Sequence, residues 1–282
     1  MGLWKGMLNM QRNRNSRGIS VFSLDLELGK LYAIWLREFK VFLREKSRLV
    51  ASTFTPLLWL FVLGGGLGSA ISTTPVPSNT SNIDYQEFIF TGIVIMSVIF
   101  SSVFFGAYII WDRKFDFLKS VMVAPVRRST IFLGKTFGGM TTSLIQAFIL
   151  LAIGALIGIN YTAESVISFV VIVLMLSFAL TSLGLAIGSY MESLEGFQLI
   201  VSFVAFPIYF LSGALFPLDN IPLWLSILTS INPATYAVDA LRNSMLGIPG
   251  KNLFIVNMGV LFMTSIALGI AGVLSFKRMK AV

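Results

Sequence analysis

The chain has 282 residues, of which 56% are hydrophobic and only 12% are charged, about half the charged share of a soluble globular domain. It contains no cysteine and no histidine, which argues against disulfides, thiol chemistry and histidine-based acid–base or metal sites. Apolar stretches of about 20 residues recur along the sequence, and each is long enough to cross a bilayer. These features predict an all-α, polytopic membrane protein rather than a soluble enzyme.

The first 46 residues combine a basic tail with an amphipathic helix. Residues 1–23 are predicted to form a cytoplasmic tail, ahead of a single membrane domain that covers residues 24–282. From residue 24 to residue 46, apolar residues recur every three or four positions, which predicts a helix lying in the membrane interface. The alternative is a helix packed in a soluble subdomain, which is disfavoured because no neighbouring segment supplies a soluble core. The predicted buried side contains Leu24, Leu28, Leu31, Trp35, Phe39 and Phe42, and the predicted wet side contains Glu27, Lys30, Arg37, Lys40 and Arg44.

Six transmembrane helices are predicted in the remainder of the chain. None of these predicted helices contains Asp, Glu, Lys or Arg in its interior, whereas ion-coupled transporters usually carry such a residue inside the membrane. The spans therefore predict an apolar or amphipathic cargo, an energy source outside the chain, and neither a catalytic nor a metal site. They cover approximately residues 49–70, 88–111, 137–159, 166–190, 197–215 and 253–276.

The distribution of basic residues predicts the orientation in the membrane. With six spans, 19 of the 21 Lys and Arg residues fall on one side, together with both termini. Basic residues accumulate in cytoplasmic loops, so we predict a multi-pass protein of the inner (plasma) membrane with both termini in the cytoplasm. The net charge of +8 is then a topology signal and an attraction to anionic lipid, not a nucleic-acid site.

The loop between the second and third predicted spans contains a candidate partner-binding helix. Apolar side chains are predicted on one face and charged side chains elsewhere, and Pro125 ends the helix. Exposed aromatic residues beside charges suit docking to a partner protein. The alternative is a basic connector that lies on the membrane. The apolar face contains Phe115, Leu118 and Met122, and the charged residues include Asp112, Arg113, Asp116 and Lys119.

Two glycine-containing patterns in the sequence resemble functional motifs but also have an ordinary structural explanation. The tripeptide Gly134-Lys135-Thr136 resembles the end of a phosphate-binding loop, but Ser129 stands where that motif needs its first glycine. We therefore expect the chain not to bind ATP itself. Gly134 and Gly138 form one of four Gly-xxx-Gly pairs, with Gly184 and Gly188 as another; each permits close helix packing, within the chain or between two copies.

The segment between the fifth and sixth predicted spans contains two short apolar pieces bracketed by prolines. Each is too short to cross a bilayer, which predicts an external pair of re-entrant helices that enter the outer leaflet and return. Asp239 and Arg242, at i and i+3 on the second piece, are predicted to form an ion pair.

Three stretches of the sequence resemble one known family, the type-2 permease subunits of ABC exporters. The resemblance rests on Arg44-Glu-Lys-Ser-Arg48 with Pro56, on Ala124-Pro-Val-Arg-Arg128, and above all on residues 211–242, which read Leu-Ser-Gly-Ala-Leu-Phe-Pro217, Ile221-Pro-Leu-Trp224 and Asn232-Pro-Ala-Thr-Tyr-Ala-Val-Asp-Ala-Leu-Arg242. Leu63-Gly-Gly-Gly-Leu-Gly68 and Tyr85-Gln-Glu-Phe88 are similar to daunorubicin-resistance and nodulation-factor export permeases.

The resemblance implies an ATP-driven exporter of an amphipathic drug, a lipid or a lipid-linked glycan. It implies that two copies of the permease, or one copy and a close paralogue, pack through their first, second and fifth spans, and that two copies of a separate ATPase subunit carry ATP and Mg. The competing hypotheses are an ATP-independent channel or lipid scramblase, and a membrane sensor or scaffold.

The same resemblance implies roles for individual residues. The implied coupling helix to the ATPase contains Phe115, Asp116, Leu118, Lys119 and Met122, and the implied connecting helix contains Trp35, Arg37, Phe39 and Lys40. The implied translocation path contains Phe100, Phe104, Phe203, Phe206 and Tyr209; for each of these aromatic residues the alternative is an ordinary core or lipid-facing position. The implied external re-entrant pair contains Pro217, Trp224, Pro233, Tyr236, Asp239 and Arg242.

Overall fold

The computed structural model describes residues 27–67, 85–117, 121, 123, 126–218, 221–248, 250 and 252–279, and these residues are mostly helical with no strand among them. The predicted tail at residues 1–23, the end of the first predicted span and the residues Leu118, Lys119 and Met122 lie outside the described residues. The helices are α1 (residues 27–44), α2 (Lys46–Trp59, followed by a π-helical segment Leu60–Leu67), α3 (Tyr85–Phe104), α4 (Ala107–Lys114), α5 (Arg128–Ile157), α6 (Ala163–Tyr190), α7 (Leu194–Phe210), α8 (Leu223–Ile231), α9 (Pro233–Leu246) and α10 (Phe254–Arg278).

Four helical segments in the described part of the chain are long and apolar enough to cross a membrane. They are Tyr85–Lys114, which joins α3 and α4 through a turn at Phe105 and Gly106, and the helices α5, α6 and α10. They correspond to the second, third, fourth and sixth predicted spans. The first and fifth predicted spans correspond to shorter apolar helices, Val50–Gly66 and Leu194–Phe210.

Helix α6 lies at the centre of the packing and contacts α3, α4, α5, α9 and α10. Its glycines allow this closeness, because a Cβ atom added at Gly184 or Gly188 would collide with the backbone of Val103 or Gly106. The Gly184/Gly188 pair is therefore an intrachain contact, at the turn between α3 and α4. The surrounding core is built from fully buried aliphatic and aromatic side chains, including Ile93, Val98, Phe169, Leu176 and Leu180.

The helix ends follow local sequence signals. Thr162 and Ser165 form a capping box at the start of α6, and the side chain of Asn232 caps α9, which begins with Pro233 at its first position. Helices α5 and α9 end at Gly158 and Gly247, whose left-handed φ values of 105° and 63° favour glycine. The two short helices predicted after the fifth span are thus separate helices of 9 and 14 residues.

Helix α5 begins nine residues before the predicted start of the third span. It starts at Arg128, so residues 128–136 are helical and packed rather than part of a loop. Thr130, Lys135 and Thr136 are buried in this first part of the helix. A charged residue does not end the packed helix here, because Lys135 lies in the protein interior with its charge paired.

Candidate functional site

A cavity of about 450 Å³ lies between α2, α3, α5 and α7. Its lining contains no Asp, Glu, Lys or Arg among the described residues. The lining combines aromatic rings with hydroxyl and amide groups. The aromatic residues, here called the aromatic wall, are Trp59, Phe100, Phe104, Phe206, Tyr209 and Phe210, and the polar residues are Ser52, Thr55, Ser97, Ser101 and Gln146.

The aromatic wall is held together by ring contacts between α3 and α7. The Phe100 ring meets Phe206 edge-on at a centroid distance of 5.1 Å and Tyr209 at 6.3 Å, and it stacks on Phe104, one turn along α3, at 6.1 Å. Of the five aromatic residues that the resemblance places on the path, these four line one cavity. Phe203, one turn earlier on α7, is 80% exposed and does not line it.

Hydrogen bonds join polar side chains of the lining across helices, and two buried polar atoms have no partner among the described residues. Gln146 Nε2 donates to Ser52 Oγ at 2.7 Å, and Ser143 Oγ donates to Ser101 Oγ at 3.1 Å. Gln146 and Tyr209 are 2% and 4% exposed, yet Gln146 Oε1 and the Tyr209 hydroxyl have no hydrogen-bond partner among the described residues. Both atoms are enclosed by the surrounding side chains, so the surface that the cavity offers is mainly apolar.

A closed set of four charged side chains, here called the ion ring, joins α1, α4 and α5. Lys135 on α5 is fully buried and donates from Nζ to Glu38 Oε1 at 2.9 Å and to Asp112 Oδ2. Arg37 donates to the same two carboxylates, at 2.7 Å to Glu38 Oε1 and 2.7 Å to Asp112 Oδ1. Each carboxylate thus meets both cations, and the ring is neutral as a whole. Lys135, in the segment that resembles a phosphate-binding loop, is engaged in this ring.

The ion ring lies next to the segment predicted to couple to an ATPase. Asp112 stands three residues before Phe115, and the Arg37 guanidinium lies 3.4 Å from the ring centroid of Phe117. Phe115 is 71% exposed and stacks on Trp111. Asp112 and Arg113 were predicted to belong to the partner-binding helix, but in the structure they lie in the last turn of α4. Asp112 is buried there.

Helix α1 packs with the predicted side, except that Leu28 is 55% exposed. Phe42 is buried as predicted, and Glu38, one turn before it on the same side, is buried as well. The reason is the glycine face of α5: a Cβ atom at Gly138 would lie 2.6 Å from the Cβ atom of Glu38. A carboxylate is stable there only because the ion ring neutralises it. Sequence reasoning missed Glu38, Asp112 and Lys135 as members of one site.

The other residues of the implied connecting helix contact α5 or remain exposed. Trp35 Nε1 donates to Thr141 Oγ1 at 2.9 Å, and the indole stacks on Phe39. Lys40 is exposed. At the start of α1, Thr130 and Lys30 donate to the Glu27 carboxylate, and these hydrogen bonds hold the pKa of Glu27 below its usual value.

Arg242 and Asp239 on α9, the residues of the predicted i, i+3 pair, each hydrogen-bond to a neighbouring segment of the chain. The Arg242 guanidinium is buried and donates to the carbonyl oxygens of Gly213 and Ala214, both at 2.9 Å, and it lies 3.6 Å from the ring centroid of Phe88. Asp239 Oδ2 accepts from Asn257 Nδ2 at 2.9 Å and from the backbone N–H of Asn252. Arg242 thus fixes α9 to the turn after α7, and Asp239 fixes it to α10.

The remaining residues of the implied re-entrant pair lie on or beside α8 and α9. Trp224 on α8 and Pro217 before it are exposed, Pro233 opens α9, and the Tyr236 hydroxyl donates to the carbonyl oxygen of Ser230 at 2.7 Å. Among the residues that the structure describes, no group of three His, Cys, Asp or Glu side chains is placed to hold a metal ion.

Long apolar helices around an uncharged cavity define a membrane protein suited to carrying a solute, and comparison with known proteins gives its family. The sequence model described as "ABC-2 type transporter" matches residues 29–246, and the chain belongs to this family of transport permeases. This confirms the resemblance found from the sequence motifs.

Several curated relatives are similar over most of their length. The chain is 31% identical to "Putative transport permease ycf38" of Porphyra purpurea over 79% of this chain and 75% of that protein. It is 30% identical to "Inner membrane transport permease YadH" of Escherichia coli K12 over 84% of this chain and 90% of that protein. It is 26% identical to "Nodulation protein J" of Rhizobium leguminosarum bv. trifolii over 77% of this chain and 81% of that protein.

Proposed function

We propose that the chain is the transmembrane subunit of an ATP-driven ABC exporter that moves an amphipathic drug, a lipid or a lipid-linked glycan out of the cytoplasm. The observation that carries this proposal is the uncharged, half-aromatic cavity between α2, α3, α5 and α7 in a member of the ABC-2 family. A charged cargo would find no counter-charge in the lining of this cavity, whereas an amphipathic cargo meets aromatic rings together with hydroxyl groups.

The proposed assembly contains two copies of this chain, or one copy and a close paralogue, and two copies of an ATPase subunit that binds ATP and Mg. The α1 helix is the connecting helix, and the segment from Phe115 to Met122 is the coupling helix. The exposed aromatic ring of Phe115, next to the buried ion ring, supports this assignment, because a partner that pushes on Phe115 would move α1, α4 and α5 together.

The proposed topology has six crossings in an inner (plasma) membrane, with both termini in the cytoplasm. The helices Val50–Gly66 and Leu194–Phe210 supply the two crossings beyond the four long segments, and α8 with α9 forms the external re-entrant pair. At about 1.5 Å per residue, a helix of 9 or 14 residues is too short to cross roughly 30 Å of hydrocarbon. The one-sided distribution of Lys and Arg supports the orientation.

The test is co-purification from the source organism. The tagged chain is extracted in mild detergent, and the expected result is a stoichiometric ATPase subunit, identified by mass spectrometry. Phe115→Asp, with or without Leu118→Asp, is expected to abolish this association while the chain still inserts. Tyr190→Asp is the matched control, because Tyr190 is also exposed and lies on the proposed cytoplasmic side, but outside the coupling segment.

Two outcomes contradict the proposal. One is that no ATPase subunit accompanies the wild-type chain. The other is that the purified chain alone, reconstituted in liposomes, conducts ions or scrambles lipid without ATP, which would favour the channel or scramblase alternative.

A further inference from the structure

Arg113 binds the loop that joins α6 to α7. It lies in the last turn of α4, and its guanidinium donates to the carbonyl oxygens of Ser189 at 3.0 Å and Met191 at 2.9 Å. Both carbonyls lie at the end of α6, where backbone acceptors lack intrahelical partners and the helix dipole favours a cation. The loop is short, since α6 ends at Tyr190 and α7 begins at Leu194. Arg113 therefore ties the N-terminal end of α7 to α4.

Helix α7 packs along one narrow stripe and is tied at both ends. The buried residues of this 17-residue helix stand at every fourth position and are Phe197, Val201, Ala205 and Tyr209. At its C-terminal end, Asn232 Nδ2 on α9 donates to the carbonyl oxygen of Ile208 at 2.7 Å. At its N-terminal end, the tie is the loop that Arg113 binds. A helix held in this way tilts as a unit when one of its ties is displaced.

This helix connects the loop to the cavity between α2, α3, α5 and α7. It brings Phe206, Tyr209 and Phe210 into the lining. Arg113 lies outside the lining, so it acts on the cavity through α7. In the other direction along the chain, Arg113 stands two residues before the exposed Phe115, at the start of the proposed coupling segment. Arg113 thus links the coupling segment to one side of the cavity.

We propose that Arg113 is the positioning residue that transmits movement of the coupling segment to α7 and so changes the shape of the cavity. A partner that displaces Phe115 also displaces the guanidinium two residues before it, and two hydrogen bonds carry this displacement to the α6–α7 loop. The ion ring joins α1, α4 and α5, and Arg113 adds α7 to this set. The inference rests on the proposed function for the ATPase that moves the segment, whereas the tie itself is measured on the purified chain.

Arg128 provides a matched control at the other end of the coupling segment. As the first residue of α5, it donates to the carbonyl oxygens of Lys277 at 2.7 Å and Met279 at 2.8 Å, at the end of α10. The arrangement is the same, with one guanidinium on two carbonyls at a helix C-terminus. Helix α10, however, contributes no residue to the described lining of the cavity. Removal of the Arg128 guanidinium should therefore loosen a helix end without moving α7.

The tie is tested by hydrogen exchange of the purified chain in phosphatidylcholine nanodiscs. Arg113→Met is expected to speed amide exchange in residues 189–198 by about tenfold or more, the factor for loss of a hydrogen bond to a charged group. Arg128→Met is expected to leave residues 189–198 unchanged and to speed exchange at the end of α10. Unchanged exchange of residues 189–198 in Arg113→Met would overturn the inference without involving the ATPase.

Transmission is tested in the complex with the co-purified ATPase subunit. The chain contains no cysteine, so Phe210→Cys places a single thiol in the cavity lining. ATP with Mg is expected to change the rate at which N-ethylmaleimide labels this thiol. Arg113→Met is expected to abolish the change while ATPase binding and ATP hydrolysis continue, and Arg128→Met is expected to retain it. A residue that only stabilises the fold would instead lower hydrolysis and labelling response together.

A labelling response that survives Arg113→Met, or that Arg128→Met abolishes equally, would overturn the inference. So would a complex with Arg113 in place whose labelling does not respond to ATP, because α7 would then not move. If Arg113→Met does not insert, Arg113→Lys decides, since lysine keeps the charge but lacks the planar fork that reaches two carbonyls at once, and the same loss is expected. Absence of an ATPase subunit would contradict the proposed function as well, whereas these results in an ATPase-bound chain contradict this inference alone.

Discussion

Lys135 and Asp112 illustrate why charged residues near a membrane boundary are difficult to assign from sequence. Counting Lys and Arg placed Lys135 in a cytoplasmic loop, and hydropathy placed Asp112 just beyond the second span. Both are buried, because Arg37 and Glu38 from a distant helix complete a neutral ring around them. Hydropathy scores each segment separately, so it cannot detect a charge that is compensated from another segment. Gln146 was recognised as a polar residue of the third span, but its cavity also depends on contacts between helices.

Lys135→Met is expected to destabilise the chain strongly. It leaves two buried carboxylates with Arg37 as their only cation in the ring, and breaking a buried ionic set in this way typically costs about 3–5 kcal/mol. The double variant Glu38→Gln with Lys135→Met keeps one cation and one anion and is expected to recover part of that loss. The measurement is thermal unfolding of the detergent-solubilised protein.

Lys40→Met provides the control for Lys135→Met. Lys40 is exposed on the same helix as Arg37, so its replacement is expected to change the free energy of unfolding by no more than about 0.5 kcal/mol. If the Lys135→Met and Lys40→Met chains unfolded at the same temperature, the ion ring would have no structural role and α1 would be held by apolar contacts alone.

At the scale of elements, the sequence predicts α1 and most of the face that it buries, but not the buried Glu38 on that face. The period of 3.6 residues identified a helix over residues 24–46, and the described helix covers residues 27–44. The burial of Glu38 depends on the surface of the partner helix. Gly134 and Gly138 give α5 a flat side, on which Ile34 and Glu38 of α1 rest. A hydrophobic pattern treats Glu38 as solvent-facing, since it contains no information about the glycine face or the paired charge.

Gly138→Leu is expected to separate α1 from α5. The first atom of any added side chain already comes within 2.6 Å of Glu38 Cβ, so a leucine has no room without displacement of the helix. Overpacking of this kind costs about 1–3 kcal/mol. We expect faster hydrogen exchange in α1 and, under the proposed function, loss of ATPase binding as well.

Gly259→Leu is the matched substitution for Gly138→Leu. Gly259 lies in the apolar helix α10, and a Cβ atom there meets nothing within 4 Å. Hydrogen exchange in α1 should therefore be unchanged in this variant. Equal protection of α1 in the Gly138→Leu chain and the wild type would mean that α1 is not held by the glycine face.

At the scale of the whole molecule, the described residues are mostly helical as predicted, and four of the predicted spans coincide with helical segments long and apolar enough to cross a membrane. Long apolar runs leave few alternatives. The first and fifth predicted spans correspond to helices shorter than these four. Pro56 and Pro207 lie inside the two short helices, and the first of them continues as a π-helical segment. The central position of α6 and the cavity arise from contacts between residues far apart in sequence. Neither is encoded in a local period.

The fifth aromatic residue of the implied path, Phe203, leads to a prediction about the assembly. It is 80% exposed on α7, outside the cavity of its own chain, and the proposed dimer packs through the first, second and fifth spans. Near a twofold axis a residue meets its own copy, so Phe203→Cys is expected to form a disulfide-linked dimer in oxidant-treated membranes, read on a non-reducing gel. Ile270→Cys, on the exposed face of α10, is expected to stay monomeric because lipid covers that face. Crosslinking through Ile270→Cys but not Phe203→Cys would move the interface to α10, and Phe203 would then be an ordinary lipid-facing residue with no part in a path between two copies.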